Sequence, residues 1–400
     1  MKKSTQHFQK SLKFLELNCK EENKLAKTYT IPKLPLKIDL ETKEILKQVN
    51  HANKALAELK GVAHTIPNES VLINSLVIPE AKESSEVENI VTTHDEIFQA
   101  DLSVNDYVIS SAAKEVMNYR EAMIEGFAKV KEHMLLTNNT IKCIQEKLEK
   151  NKAGFRKSAV TLQNSKKEIV YAPPETGDEV EHYMVNLEQF INNSELSDLD
   201  PLIKLAVIHH QFESIHPFYD GNGRTGRIIS VLYLVQNGLL DLPILYLSRY
   251  ITRNKADYYK LIQAVRDSNG DSKDWQNWVM FMLKGIEVTS KETIVLINGI
   301  SQLMAKYKNI LKPAFGKTYK HELLNNLFFH PYTKIEYIER DMNVQRKTAA
   351  KYLDMIVDLK LLTKMKKGPS NYYINNALFE LFINQGKVVP EVESIESVKS

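Results

Sequence analysis

The chain has 400 residues, of which 43% are hydrophobic and 26% are charged. This composition is typical of globular proteins, and the length is sufficient for two or three domains. A net charge of +3 is too small to indicate that the whole chain binds nucleic acid. Cys19 and Cys143 are far apart, which argues against a disulfide framework and a structural zinc site. No signal peptide or membrane-spanning run is evident, so we expect a cytoplasmic protein without membrane contact.

Residues 1–110 are predicted to form a helical N-terminal region. Its second helix is predicted over residues 79–92, with Pro79 in the first turn, where its missing N–H is tolerated. Glu88 shares a face of this helix with small and apolar residues. A carboxylate turned inward there requires a cationic partner, whereas a partly exposed surface glutamate is the alternative.

Residues 111–286 are predicted to form a central helical domain that contains one β-hairpin. Within residues 156–172, two short β-type runs, Ser158–Leu162 and Glu168–Tyr171, flank a polar turn. The free edges of an isolated hairpin suit the addition of a strand from a partner, and a structural ribbon is equally compatible with the pattern.

Residues 216–227 lie between two helical patterns and end at the N-terminus of the second helix. Unpaired main-chain N–H groups and the helix dipole favour an anion at that position. The glycines of the loop allow the backbone to approach a ligand, and Asn222 can donate an amide hydrogen bond. Arg224 and Arg227 supply forked donors that suit the oxygens of more than one phosphate.

Two further side chains of this loop point to phosphate chemistry. Asp220 beside an anion site indicates a hard cation, which we predict to be Mg²⁺ bridging the carboxylate and a diphosphate. The imidazole of His216 can then take the proton of an attacking hydroxyl as a general base. A glycine-rich structural turn with a packed histidine is the alternative, but so many suitable residues in one short segment favour a site.

The segment His216–Arg227 is similar to the HxFx(D/E)GNGRxxR signature of Fic domains in every defining position. The resemblance implies an all-α Fic fold with a short hairpin flap, and transfer of AMP from Mg-ATP to a Ser, Thr or Tyr hydroxyl of a protein. It implies His216 as the catalytic base and Asp220 as the Mg²⁺ ligand. The ATP-binding residues that it implies are Gly221, Asn222, Gly223, Arg224, Thr225, Gly226, Arg227 and, in the adenine pocket, Tyr259. A core position is the alternative for Tyr259.

Ser84–Asn89 resembles the [S/T]xxxE[G/N] inhibitory motif that one class of Fic proteins carries before the Fic core. The resemblance implies inhibitory roles for Ser84, Glu88 and Asn89, with Glu88 paired to Arg227. It also implies that the hairpin is a flap that aligns a target segment over the site. The target-docking residues of this flap would be Ile169, Val170 and Tyr171.

The C-terminal part is predicted to be a separate unit. Residues 287–317 would form a helix that ends before Pro313 and a linker, followed by a unit over residues 318–378 that resembles a winged helix. An acidic tail over residues 379–400 follows and is expected to be unstructured after Gln385. Contact with DNA or with a protein is compatible with this unit. The basic side chains placed for DNA phosphates are Arg346, Lys347, Lys351, Lys364, Lys366 and Lys367.

The leading hypothesis is a protein adenylyltransferase that uses ATP and Mg²⁺, modifies target proteins and itself, and is restrained by Glu88. One alternative keeps the site but moves another group or removes AMP. The other is a DNA-binding regulator whose Fic domain senses nucleotide. A homodimer is compatible with the sequence, which does not identify the target protein or the signal for release.

Overall fold

The structure, a computed structural model, describes residues 29–102, 109–164, 166–367 and 370–390. The end of the predicted acidic tail, residues 391–400, lies outside the described residues, as do residues 1–28 of the N-terminal region. The described part is predominantly helical, with two small antiparallel sheets, which confirms the predicted all-α class with a short hairpin.

The helices are α1 (Lys43–Ala63), α2 (Glu69–Val87), α3 (His94–Leu102), α4 (Ser111–His133), α5 (Asn138–Glu149), α6 (Gly177–Asn192), α7 (Pro201–Ile215), α8 (Asn222–Gln236), α9 (Leu247–Arg253), α10 (Lys255–Asp267), α11 (Ser272–Phe315), α12 (His321–Phe329), α13 (Ile335–Met342), α14 (Arg346–Asp358) and α15 (Asn376–Ile383). The strands are β1 (Leu162–Gln163), β2 (Ile169–Tyr171), β3 (Tyr332–Thr333), β4 (Thr363–Lys367) and β5 (Ser370–Ile374). Among the described residues, no helix combines the length and apolar character that crossing a membrane requires.

Helix α2 differs from the predicted helix over residues 79–92. It begins at Glu69, where the side chain of Asn68 accepts a hydrogen bond from the Ser70 N–H, and it ends before Glu88. Pro79 therefore lies inside the helix and not in its first turn. The prediction was wrong because burial of most of the helix outweighs the hydrogen bond that proline removes.

Helix α11 also runs past a proline at which the sequence predicted its end. It spans 44 residues and includes Pro313, so no linker separates it from the C-terminal unit. Buried side chains on both sides of the proline, Leu311 and Phe315, keep the last turns packed. Near its start, Trp278 is fully buried and its indole N–H donates to the Ala206 carbonyl at 2.8 Å, as a core position requires.

Helices α7 and α8 pack against each other in the centre of the domain and hold the loop between them. Nearly every side chain of both helices is buried. Strands β1 and β2 form the predicted hairpin, in which Leu162 pairs with Tyr171. The first strand is shorter than predicted, because Ser158 turns its carbonyl toward the Arg156 side chain.

The C-terminal unit contains α12, α13 and α14 and a three-stranded antiparallel sheet with the order β3-β5-β4. Helix α15 occupies the start of the predicted tail, over Asn376–Ile383. The predicted boundary between the unit and the tail, at residue 378, was wrong because Leu378, Leu381 and Phe382 are buried, with α15 packed against α11. The helix ends before Gln385, after which the chain was predicted to be unstructured.

The close packing of α4 against α8 generates a stability prediction. A Cβ atom on Gly126 would lie 2.6 Å from Leu232 Cδ1 and 2.9 Å from Ile144 Cδ1. We expect Gly126→Ala to lower the free energy of unfolding by roughly 1–3 kcal/mol in denaturant titrations. The matched control is the exposed helical Gly61, which has open space around it, so that Gly61→Ala should stabilise by about 0.5–1 kcal/mol. Equal effects of the two substitutions would contradict this packing.

Candidate active site

His216 stands at the C-terminal end of α7 in a left-handed backbone conformation, with φ 49° and ψ 60°. Its main-chain N–H donates to the Phe212 carbonyl at 2.9 Å and closes the helix. The ring is partly exposed, while its Nδ1 atom is buried. Burial, and then the charges of Arg266 and Arg156, lower the pKa of His216 to about 3. The ring is therefore neutral at ordinary pH, which is the state that can accept a proton.

The loop after His216 forms an open helix N-terminus. Gly221 has a φ of 77°, and α8 begins at Asn222. Within the part of the chain that the structure describes, no side chain caps this helix, so the N–H groups of its first turn remain available to an anion. The side-chain amide of Asn222 is bonded to both main-chain groups of Phe218, so it closes the loop instead of facing a ligand.

The other small residues of the predicted ATP-binding segment are helical. Gly223 and Gly226 do not have positive φ, and each is instead closely approached by a glutamate side chain. A Cβ atom on Gly223 would collide with Glu88 Oε1, and one on Gly226 would lie 3.0 Å from Glu213 Oε1. Thr225 is fully buried, and its N–H bonds to the Gly221 carbonyl at 2.9 Å, so its side chain lies away from the exposed surface.

Arg227 is the point at which the N-terminal region meets this loop. The side chain is 1% exposed, and it donates from Nε to Ser84 Oγ and from Nη2 to the Ser84 carbonyl, both at 2.8 Å. Nη2 also lies 2.9 Å from Glu88 Oε1. Burial disfavours the charged guanidinium, but neighbouring acidic groups outweigh this effect and raise the pKa of Arg227. Among them, Glu88 makes the largest contribution. The sequence-predicted pair is therefore present.

Glu88 is not enclosed as the sequence predicted. It is the C-cap of α2, and 34% of its side chain is exposed. The helix ends there because Asn89 takes the left-handed conformation, with φ 63°, which asparagine tolerates better than most residues. Asn89 Oδ1 also accepts a hydrogen bond from Lys255 Nζ at 2.9 Å. The carboxylate thus lies at the open side of Arg227, where it is free to rotate away.

Arg224 is held by two carboxylates that the sequence did not reveal. Nη1 lies 2.8 Å from Glu115 Oε2 on α4, and Nη2 lies 2.8 Å from Glu149 Oε1 on α5. The Arg224 side chain is 5% exposed. A phosphate that contacts Arg224 must therefore use its remaining donors or displace one of these carboxylates.

Asp220 is exposed beside the open helix N-terminus. One carboxylate oxygen, Oδ1, accepts a hydrogen bond from the Gly221 N–H at 2.7 Å. Among the described residues, no group of three or more His, Cys, Asp or Glu side chains could hold a metal ion. A single exposed carboxylate fits Mg²⁺, because this ion binds one or two carboxylates together with substrate phosphates.

The remaining predicted residues lie around the rim. Tyr259 is 46% exposed, and its ring lies edge-on to Tyr258, with a centroid distance of 5.2 Å. On the flap, Ile169 is 44% and Val170 37% exposed, so their side chains are accessible to a partner. Tyr171 is buried and donates to the Ser214 carbonyl at 2.8 Å, so it anchors the flap and does not face a target.

Two buried charged residues next to the motif were not identified from the sequence. Glu213 lies fully buried three positions before His216, and desolvation raises its pKa to about 7 while Arg227 opposes the shift. Arg156 has no exposed surface, and its guanidinium bonds to main-chain carbonyls on both sides of the His216 turn. Neither carries a motif spacing, so only the three-dimensional arrangement reveals them.

Three family models match separate parts of the chain: "Fic/DOC family N-terminal" over residues 46–128, "Fic/DOC family" over residues 135–234, and "Protein adenylyltransferase SoFic-like, C-terminal domain" over residues 303–378. The chain belongs to the Fic/DOC family.

Curated relatives match parts of the chain. A probable protein adenylyltransferase of Aquifex aeolicus is 32% identical over 127 residues, which cover 31% of this chain and 37% of that protein. The protein adenylyltransferase Fic of Drosophila virilis is 23% identical over 252 residues, which cover 60% of this chain and 48% of the relative. The chain thus spans less than half the length of these curated relatives.

Solved structures support the fold. The structure of a Fic family protein from Desulfovibrio desulfuricans has a TM-score of 0.55 and 19% identity, and the match covers 85% of this chain and 97% of that one. A Fic domain containing signaling protein from Bacteroides thetaiotaomicron has a TM-score of 0.52 and 15% identity, with 62% of this chain and 97% of that chain covered. At this identity the likeness concerns the fold alone.

The environment of His216 generates a prediction about its protonation. Because burial lowers the pKa of the ring to about 3, the His216 ¹H and ¹³C signals should not titrate between about pH 8 and about pH 5, where an ordinary histidine does. The NMR titration is assigned by comparison with His216→Ala. A midpoint near pH 6.5, the usual histidine value, would show that the surroundings of the ring do not disfavour its charged form as described.

Proposed function

We propose that the protein transfers AMP from Mg-ATP to a Ser, Thr or Tyr hydroxyl of a protein, including its own chain. The observation that carries this proposal is the placement of a neutral His216 at the end of α7 and of Arg227 in the second turn of α8, with an uncapped helix N-terminus between them. The chain's similarity to protein adenylyltransferases of Aquifex aeolicus and Drosophila virilis supports the proposal.

The reaction follows from the positions of the chain's own groups. The triphosphate would rest on the free N–H groups at the start of α8, with Arg227 on the γ-phosphate. The hydroxyl oxygen of the target attacks the α-phosphorus, and its proton passes to Nε2 of His216, the ring nitrogen opposite the buried Nδ1. A P–O bond to the target forms as the bond to diphosphate breaks. Bound Mg²⁺, held by Asp220, would neutralise charge on the phosphates.

The restraint by Glu88 is part of the same proposal. Arg227 has one guanidinium to share between the Glu88 carboxylate and the γ-phosphate. While Glu88 holds it, ATP must bind with its phosphates displaced from the in-line arrangement that attack requires. A charge-assisted hydrogen bond of this kind contributes about 1.5–3 kcal/mol, and each 1.4 kcal/mol is tenfold in rate.

The alternatives have less support. Transfer of another group, or removal of AMP, uses the same site, and no contact in it favours these reactions over AMP addition. DNA binding by the C-terminal unit stays a prediction, since two of its basic residues are engaged in ion pairs. Arg346 lies 2.7 Å from a Glu336 oxygen and Lys364 lies 2.8 Å from an Asp354 oxygen.

Loss of the base tests the reaction. His216→Ala should lower AMP incorporation by about 10²–10⁴-fold, because the attacking hydroxyl loses its proton acceptor, and should leave ATP affinity nearly unchanged. Intact-mass spectrometry of the chain incubated with Mg-ATP measures incorporation, and calorimetry measures binding. Full incorporation in the variant would remove His216 from the mechanism.

Loss of the inhibitory carboxylate tests the restraint. Glu88→Gly should raise self-modification by roughly 10- to 100-fold, because Arg227 is freed for the γ-phosphate. Adding Arg227→Ala to Glu88→Gly should lower the rate again, which separates relief of inhibition from direct phosphate contact. The control is Glu86→Gly, two residues before Glu88, where the side chain pairs with Lys82 and not with Arg227. An unchanged or lower rate in Glu88→Gly would make Glu88 a structural carboxylate or a participant in AMP removal.

A further inference from the structure

The five consecutive carbonyls of residues 213–217 lie in the last turn of α7 and in the His216 turn that follows it. The carbonyls of Glu213 and Ser214 lack their usual helical donors, because Pro217 has no N–H and the Phe218 N–H is bonded to Asn222 Oδ1. Each of them nevertheless has a donor from outside the helix. The donor and acceptor pairs are Arg266 Nη2 to Glu213 O at 3.0 Å, Tyr171 Oη to Ser214 O at 2.8 Å, Arg156 Nη2 to Ile215 O at 3.2 Å, Arg156 Nε to His216 O at 2.7 Å, and Arg156 N to Pro217 O at 2.8 Å.

Arg156 supplies three of these five hydrogen bonds. A fourth, from its Nη1 to the Ser158 carbonyl at 2.9 Å, ties the same guanidinium to the segment that leads into the flap. The residue has no exposed surface, and its hydrogen-bond acceptors are main-chain carbonyls. Burying a guanidinium without a carboxylate partner is costly, so a side chain that only filled space would be expected to be apolar.

We propose that Arg156 is a positioning residue that holds the His216 turn in its left-handed conformation and fixes the flap to it as one unit. The proposal rests on the proposed function, because it gives that turn the task of placing the base.

The conformation of His216 explains why such a device is required. A left-handed backbone costs a non-glycine residue roughly 1–2 kcal/mol, and it persists only where surrounding contacts impose it. Glycine would relieve this strain but would remove the imidazole. The positive charge of Arg156 also lies at the C-terminal end of α7, where the helix dipole favours a cation. The forked guanidinium reaches two successive carbonyls at once, which a lysine cannot do in this geometry.

A second contact between the flap segment and the motif extends the same unit. Tyr219 Oη accepts a hydrogen bond from the Lys157 N–H at 3.1 Å and lies 3.2 Å from Ser158 Oγ. On the far side, Gln263 Nε2 donates to the Val170 carbonyl at 3.0 Å. A target segment that adds to the flap is thereby set at a fixed distance from His216, and an error of about 1 Å in such a distance costs on the order of 10²-fold in rate.

The test uses the full-length chain in the Glu88→Gly background, with Mg-ATP as donor and the chain itself as acceptor. Arg156→Met removes the charge and the donors and keeps an unbranched stem, whereas Arg156→Lys keeps the charge and loses the fork. We expect incorporation to fall by roughly 10²-fold in Arg156→Met, with partial rescue in Arg156→Lys, while the KM for ATP stays nearly constant. The acid limb of the pH–rate profile should move to higher pH in Arg156→Met, because the Arg156 charge is one of the causes that lower the pKa of His216.

The NMR titration of His216 provides a readout that does not depend on AMP transfer. In Arg156→Met the His216 ring should titrate at a higher pH than in the parent, with Arg156→Lys between them. The control is Arg249→Met, because Arg249 is also buried but lies 3.5 Å from Glu292, and none of its contacts is to the His216 turn. This control should lose thermal stability and keep the parent's rate and titration.

The outcomes distinguish the positioning role of Arg156 from the proposed AMP transfer. If Arg156→Met behaves like Arg249→Met, with lower stability but unchanged kcat and His216 titration, Arg156 is a structural residue and the inference is wrong. If Arg156→Met does not fold, the same comparison is made with Arg156→Lys, and an unchanged rate and titration there would likewise overturn it. If no variant with an intact Arg156 transfers AMP, the proposed function fails, and the titration alone decides whether Arg156 positions His216.

Discussion

The arrangement of the site depends on one buried cation. The Arg227 side chain is almost fully buried, and its Nε and Nη2 atoms donate to Ser84 and Glu88. A buried guanidinium requires acceptors, and the acceptors of these hydrogen bonds lie at the end of α2. The proposed enzyme function requires the same guanidinium to face a phosphate. Inhibition and activity thus become two ways of satisfying a single buried charge.

The helix that carries Glu88 is fixed more firmly than Glu88 itself. Glu80, fully buried on α2, accepts hydrogen bonds from Tyr119 Oη at 3.2 Å and from the Ser248 N–H at 3.1 Å. Earlier in α2, Ser75 Oγ donates to the Phe328 carbonyl of the C-terminal unit at 3.0 Å. Glu88, in contrast, is a partly exposed C-cap. Rotation of its side chain breaks one ion pair, whereas displacement of α2 breaks several buried contacts, so the geometry favours release by rotation.

The sequence predicted the chemistry of the site better than its supports. The segment from His216 to Arg227 concentrates histidine, carboxylate, glycine and arginine within one loop, and such local patterns can be recognised without a structure. Element boundaries failed at Pro79 and Pro313, because burial of the surrounding helix outweighs the cost of proline and burial depends on distant parts of the chain. Arg156 acts through carbonyls that come together only after folding, so no local pattern marks it.

The contacts of some site residues differ from those that the sequence predicted. The side-chain amide of Asn222 closes the loop, and Arg224 is shared by two carboxylates from other helices. Gly223 leaves room for the Glu88 carboxylate, and its backbone does not have positive φ. In each case the residue lies at the candidate site, and its contacts there are ones that sequence spacing does not encode.

The central claim is that Glu88 and the γ-phosphate compete for Arg227, and the most direct measurement is a structure of the Glu88→Gly chain with Mg²⁺ and a non-hydrolysable ATP analogue. The account predicts the γ-phosphate within hydrogen-bonding distance of Arg227 and the α-phosphate facing Nε2 of His216, with the wild-type chain showing displaced phosphates under the same conditions. The same phosphate positions in both chains, or a γ-phosphate away from Arg227 in Glu88→Gly, would contradict it.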